Sequence, residues 1–401
     1  MATTVFGGDL RTGDILVRAI PASAASATET VNDAGEITCT VRLPMRDPVT
    51  HAVTDIVNQL IPGRSFIGID VDGEIVNAGP IWTDTYDFES KKLEFRAAGL
   101  WSYWDHRFVM QVLAGGQLPR DVTATWTTSL RTQAKRLVQL AQSWTGGAVP
   151  VVFEADIAGT NEREYPGSDL ITVGDALANL TRVIGGPDIA FRPRYRADRL
   201  GVEWVMMTGD PVLSQDGADH VWDISVPGAS VKGASISRDA TQLATHGYGT
   251  GDTIDDVELQ AKASDSTLID AGYPVLQAST SRSSVRELPT LQGHTTELVR
   301  SGIAPLETLS FAARVDRTPK ASDVRAGDLA QINLGKHNPR KPGRHAFRIM
   351  SRTVRLGSPY VDYLCFPQRE TYPVTPPAPL QFIARAFKQI NAQAAEDRRR
   401  K

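Results

Sequence analysis

Two stretches at opposite ends of the chain alternate apolar and polar side chains with a period of two. In the first, Ile37, Cys39, Val41 and Leu43 alternate, and Leu93, Phe95 and Ala97 repeat the pattern. In the second, Leu309, Phe311 and Ala313 do the same. That period belongs to strands with one buried face, so the chain must build β structure at both ends. Asp72-Gly73 sits between the apolar runs Phe66 to Val71 and Glu74 to Val76. Gly accepts positive φ at little cost, which makes this dipeptide a strong hairpin signal. Glu89 to Lys92 reads as another turn. Short strands at this spacing predict a small barrel or sandwich. Near the C-terminal end, Arg325 to Asp328 is a turn into Leu329 to Leu334, and His337 to Arg344 is a basic hairpin tip. Phe347 and Ile349, Val354 and Leu356, and Tyr360 to Phe366 complete three more strands.

Between the β regions the period changes. Leu100, Trp101, Trp104 and Phe108 recur at helical spacing and predict a short helix that plugs one end of the first β unit. Leu130, Ala134, Leu137, Ala141 and Trp144 form a helical stripe, with Thr128 or Ser129 as cap and Gly146-Gly147 as stop. A second helix starts at Thr172, carries Ala176, Leu177, Leu180, Val183 and Ile184, and stops at Gly185-Gly186-Pro187. A hairpin follows, with Phe191 and Tyr195 on one arm and Val202, Trp204 and Met206 on the other. Val221 to Ile224 and Ala234 to Ser237 read as strands, Gly247 to Asp252 as a loop, and Asp252 to Ser266 as an exposed excursion. Pro-rich sequence from Pro373 precedes Leu380, Ile383, Phe387, Ile390 and Ala394, an a/d seam on a C-terminal helix. The expected organisation is a β unit with capping helix over 1–112, an α+β insertion over 113–218, a second β unit over 219–368 with an irregular excursion near 250–300, and a linker with helix over 369–401.

Composition narrows the function classes. The 401 residues are 41% hydrophobic and 22% charged, an ordinary globular mixture of a length suited to two or three domains. The formal net charge of −3 argues against a dedicated nucleic-acid binder, which carries a basic excess. No apolar run is long enough to span a membrane, and Met1 to Asp14 lacks the pattern of a secretory signal. The two cysteines, Cys39 and Cys365, exclude a disulfide scaffold and read as buried free thiols.

The search for chemistry returns no catalytic, cofactor-binding or metal-binding residue. Gly-x-Ser-x-Gly, His-Glu-x-x-His and the phosphate-binding loop are all missing from the sequence. Gly247 to Gly251 lacks the spacing of a dinucleotide fingerprint, and the seven histidines contain no i, i+4 pair. Asp70 and Asp72 sit on the hairpin and read as turn residues rather than calcium ligands. Asp252, Asp255, Asp256 and Glu258 read as a solvated acidic loop. Trp82, Trp101 and Trp104 would serve a carbohydrate-binding module only if exposed. A carboxylate pair of a glycosidase is defined in space and leaves no local signature.

Several segments carry a resemblance. Glu74 to Ile81, Leu93 to Arg107 with its Ala97-Ala98-Gly99-Leu100-Trp101 core, His220 to Ile224, Ser235 to Gly249 and Arg325 to Leu334 are similar to tail hub proteins. These are the minor tail, or baseplate hub, proteins of long-tailed, siphovirus-like bacteriophages, here of the actinobacterial kind. The resemblance implies a mainly β fold with an α+β insertion: two β-barrel tube domains, a small α+β domain and a C-terminal helix. It implies a structural virion protein without enzymatic activity or cofactor, made in the host cytoplasm and placed at the distal tail tip. Three copies would form a homotrimer ring whose six similar β domains match a hexameric tail tube, with a neutral or acidic lumen through which DNA is ejected. Implied partners are the distal tail or tail tube protein, the tape measure protein, DNA in transit, and spike or fibre proteins held by the Leu380–Ala394 helix, with no membrane anchor. Some hubs carry a large C-terminal lysozyme-like or peptidase region, and this chain has only the helix there. The alternative functions are a tail-associated cell-wall hydrolase and a carbohydrate-binding host-recognition module.

Overall fold

The computed structural model describes residues 3–46, 53–183, 186–213, 219–224, 230–254, 257–281, 288–335 and 342–367. The N-terminal region supplies β1 (Thr3–Asp9), β2 (Ile15–Val17), β3 (Ala22–Thr30), β4 (Glu36–Arg42), the short β5 (Met45–Arg46) and β6 (Val53–Thr54), α1 (Ile56–Gln59), β7 (Ser65–Val71), β8 (Glu74–Asp87), β9 (Lys92–Ala98) and α2 (Trp101–Trp104). The middle region supplies β10 (Thr123–Thr128), α3 (Leu130–Gln142), β11 (Val151–Phe153), β12 (Asn161–Pro166), α4 (Val173–Thr181), β13 (Ile189–Tyr195) and β14 (Val202–Thr208). Then come β15 (Asp219–Asp223), β16 (Val231–Asp239), β17 (His246–Ile254), β18 (Val257–Ser264), α5 (Thr267–Asp270), β19 (Gln277–Ser281) and α6 (Leu288–Ser301). The last strands are β20 (Leu306–Arg314), β21 (Leu329–Leu334), β22 (Gly343–Arg355) and β23 (Tyr360–Pro367). The chain divides into two compact units, one running through Ala234 and resuming at Ser310, the other spanning Ser235–Leu309.

In the first unit both predicted meanders are present, and they belong to one sheet. Its order is β16-β20-β23-β22-β3-β4-β9-β8-β7-β1-β2, with β21 on β22 and β15 parallel to β21. Among the described residues this path stays open, so no closed barrel forms. The join is β3, which pairs with β4 on one side and with β22 on the other, Thr30 opposite Ser351 and Ser26 opposite Arg355. The Asp72-Gly73 turn closes β7 on β8 with φ of 52° and 92°, the conformation the dipeptide favours. β8 changes partner midway: residues up to Pro80 pair with β7, and those from Ile81 pair with β9. Gly79 lies at that corner, where an added Cβ would meet Ala98 O at 2.0 Å.

The middle region packs on the first meander. Phe6, Phe66, Trp104, Leu137, Leu177 and Trp204 are buried in one core cluster. Trp204 meets Phe66 edge-on, with ring centroids 5.4 Å apart, and its Nε1 donates to Ala78 O at 2.8 Å. A second aromatic group joins β15, β20 and β23: Trp222, Phe311 and Tyr363 lie 5.2–5.4 Å apart. Ser129 caps α3 by accepting from Thr132 N, and Thr172 caps α4 by accepting from Asp175 N. The aromatic helix is shorter than the stripe suggested. α2 stops at Trp104, and Phe108 is 45% exposed, its backbone bridged to Thr172. α4 ends at Thr181 rather than at the Gly185-Gly186 stop, with Arg182 as its C-cap.

The second unit is a three-stranded sheet, β18-β17-β19, with α6 on one face. The Gly247–Asp252 stretch, read from sequence as a loop, lies within the central strand. Gly247 and Gly249 face α6, where a Cβ on Gly249 would fall 2.2 Å from Thr295 Oγ1 and one on Gly247 2.8 Å from Val299. Glycine is thus used here for close helix approach, not for a turn. Within the stretch read as an exposed excursion, Val257–Ser264 forms β18, antiparallel to β17 and mostly exposed. Asp255, Asp256 and the Leu380–Ala394 seam lie outside the described residues.

Candidate functional site

The most heavily charged interior region is a junction where β3, the β13–β14 segment and the β21–β22 region meet. Glu29 on β3 is buried, and its Oε2 accepts from Arg352 Nε at 2.5 Å. Arg352 also donates to the carbonyls of Ala321 and Val324, at 2.7 and 2.5 Å. Arg192 of β13 approaches the other Glu29 oxygen at 3.5 Å and donates to Ala326 O at 2.8 Å. Arg325 pairs with Glu74 at 2.9 Å. Beside it, the buried Asp188 receives Asn32 Nδ2 at 2.9 Å and Leu213 N at 2.9 Å, and pairs with Arg348. Burial alone would push the Glu29 carboxyl upward. The charges of Arg352, Arg325 and Arg192 outweigh it and hold the group below the ordinary glutamate value. Arg325 is also held below its usual range, chiefly by burial and then by the Arg352 charge.

This arrangement is a joint that ties β3 to β13 and to the segments around β21 and β22. Its arginines are matched by carboxylates and carbonyls, and of their fully buried nitrogens only Arg192 Nε, 3.5 Å from Glu29, lacks a hydrogen bond of its own. The adjoining cavity, lined by Glu29, Asp33, Asn77, Trp101 and Arg192, has a volume of about 20 Å³. That is room for roughly one water molecule and for no substrate. Burial pushes the Asp33 carboxyl up against that cavity.

A larger groove of about 260 Å³ opens at the β1–β2 end of the sheet, lined by Thr4, Phe6, Ile15, Asp70, Tyr195 and the guanidinium groups of Arg18 and Arg199. The Arg199 guanidinium lies 5.4 Å from the Tyr195 ring centre, and Arg18 donates to Arg199 O at 3.2 Å. The Tyr195 phenol is pushed up by burial and by the Asp70 carboxylate beside it.

The residues singled out in the sequence fall as follows. Cys39 and Cys365 are buried free thiols, Cys39 pushed up to about 12 and Cys365 further, both by burial. Trp101 and Trp104 are buried and cannot stack on a sugar, while Trp82 packs on His106 with rings 4.2 Å apart and donates to Ser102 Oγ. Asp70 Oδ1 accepts from Gly73 N at 3.0 Å, an Asx-type contact that stabilises the turn. His220 pairs with Asp328 at 3.2 Å inside the fold. His51 and His337 lie outside the described residues. Among the described residues no three His, Cys, Asp or Glu side chains come close enough to hold a metal ion, and no helix is long and apolar enough to cross a membrane. Sequence reading missed the charged joint completely, because its members come from segments far apart in the chain and share no spacing. The one available signal was Glu29, a charged residue in an otherwise small and neutral strand.

No protein-family model and no curated protein sequence matches the chain. Solved structures do. A 43 kDa tail protein of prophage MuSo2 from Shewanella oneidensis superposes with a TM-score of 0.58 at 12% identity, over 92% of this chain and 98% of the other. The tail protein from Neisseria meningitidis MC58 gives 0.55 at 13% identity, over 93% and 98%. A chain of the Francisella PdpA–VgrG complex gives 0.53 at 9% identity, over 93% of this chain and 59% of that one. The chain therefore shares its fold with these two tail proteins along almost its whole length.

Proposed function

We propose that the chain is a structural, non-enzymatic subunit of a phage tail, the hub at its distal tip. In this reading 1–112 and 219–368 are the two tube domains, 113–218 is an α+β insertion, and 369–401 is a linker and helix that engages spike or fibre proteins. Three copies close a ring that meets the tail tube, the distal tail protein and the tape measure protein, and leaves a channel for DNA. The siphovirus-like, actinobacterial assignment belongs to the same reading.

The observation that supports it best is the end-to-end likeness to two tail proteins, with 98% of each covered. Two features of the interior agree with it. The charges at the joint are spent on holding chain segments together, and two of the three tryptophans a sugar platform would use, Trp101 and Trp104, are buried. Mass photometry at micromolar concentration is expected to give a trimer, and labelled particles to carry the protein at the tail tip. Persistent monomer, or label elsewhere on the particle, would count against the hub. Clearing of host cell wall in a zymogram would count against a purely structural role.

A further inference from the structure

We propose that the β8–β9 tip of one copy docks in the Arg18–Arg199 groove of a second copy. The inference rests on the ring reading above and names the contact that would close it.

The tip is built to be covered. β8 loses its β7 neighbour after Pro80, so Thr83–Asp87 pairs with β9 on one side, and among the described residues no strand pairs with its other edge. All five of these residues are exposed. Phe88, just beyond them, is 85% exposed, the most exposed large hydrophobic among the described residues. Its ring meets Tyr86 edge-on at 4.9 Å, so the two aromatics form one outward-facing patch. An open strand edge beside an exposed aromatic pair is a surface that a soluble chain normally covers.

The groove has matching size and charge. Its volume of about 260 Å³ exceeds the roughly 150 Å³ that suffices for a benzene ring. Phe6, Ile15 and Tyr195 supply apolar walls, and exposed Leu16 and Leu200 stand in the two segments that frame it. Arg18 and Arg199 outnumber Asp70 in the groove lining, and on the tip the carboxylates Asp84, Asp87 and Glu89 outnumber the exposed Lys91 and Lys92, so the two surfaces carry opposite net charge. Tip and groove are different patches of one chain. Their contact between copies is therefore heterologous, the type that generates closed rings.

Cysteine cross-linking tests this, because both native thiols are fully buried. A tagged Ser90→Cys chain, which keeps the Phe88 ring, is mixed with an untagged Thr4→Cys chain and treated with a short bismaleimide. The expected result is a two-chain adduct in the mixture and in neither variant alone. Phe88→Ala is expected to weaken self-association at least tenfold, read by mass photometry across a dilution series, with an unchanged Tm because the ring is solvent-exposed in the single chain. Wild-type oligomers without an adduct, or Phe88→Ala that associates as tightly as wild type, would overturn the docking contact and leave the ring reading standing. Wild-type protein that stays monomeric at every concentration, with no adduct, would overturn both.

Discussion

Trp104 shows how a residue's role follows from what surrounds it. It is fully buried between Tyr103 and Phe191, with ring centroids 4.9 and 5.9 Å away, and its Nε1 has no hydrogen-bond partner. Trp104→Ala is expected to cost about 3–5 kcal/mol in denaturant titration. Trp104→Phe should cost clearly less, because it keeps a ring and removes an unsatisfied N–H. At the joint, Arg352→Met leaves Glu29 buried without its principal partner and is expected to cost about 3–5 kcal/mol, measured in the same way. Two carboxylates give opposite pH responses. Glu29 is held below the ordinary value, so its contribution is present above that value and is lost as pH falls through the lower folded one. Asp105 is an exposed residue whose carboxyl is partly covered by its neighbours, and that partial desolvation, with the Asp175 charge, pushes it up to about 6. Its neutral form is favoured in the fold, so the stability it contributes is lost as pH rises from about 4 through about 6. Asp105→Asn is therefore expected to raise Tm at pH 7.5, with a gain that shrinks steadily as pH drops from 6 to 4. A pH-independent gain would show that charge is not the cause.

At the scale of the element, local pattern and tertiary use part company at several places. β4 and β20 alternate strictly, and the sequence pattern predicts both because each buries one face. β3 reads Ala-Ser-Ala-Ala-Ser-Ala-Thr-Glu-Thr, with low β propensity and no alternation, and is still the central strand of the join. Its conformation is supplied by the ladders on either side, including a Thr28–Thr353 hydroxyl pair at 2.9 Å. β17 is the reverse case. Its glycines look like a loop, but they let α6 lie against the sheet. Gly249→Ala is expected to destabilise the second unit by about 1–3 kcal/mol, since Thr295 is buried and has little room to move. Loss of hydrogen-exchange protection confined to β17–β19 and α6 is the check. Loss spread evenly over both units would mean that this unit does not open by itself.

At the scale of the whole molecule, the likeness to two tail proteins spans nearly the full chain at 12–13% identity. The ring proposal is tested at this scale, by oligomeric state and by position in the particle. The sequence by itself determined the β character of both ends, the Asp72-Gly73 hairpin, the Thr172 cap, a cap at Thr128 or Ser129 and the burial of both cysteines, because these depend on local conformational preference and on the period of apolar side chains. Tertiary structure alone decided that the two meanders share one sheet, that Glu29, Asp188, Arg325, Arg348 and Arg352 meet, and that Gly249 serves a helix. Those outcomes depend on which distant segments come together, and no spacing along the chain encodes the energy of a contact across it.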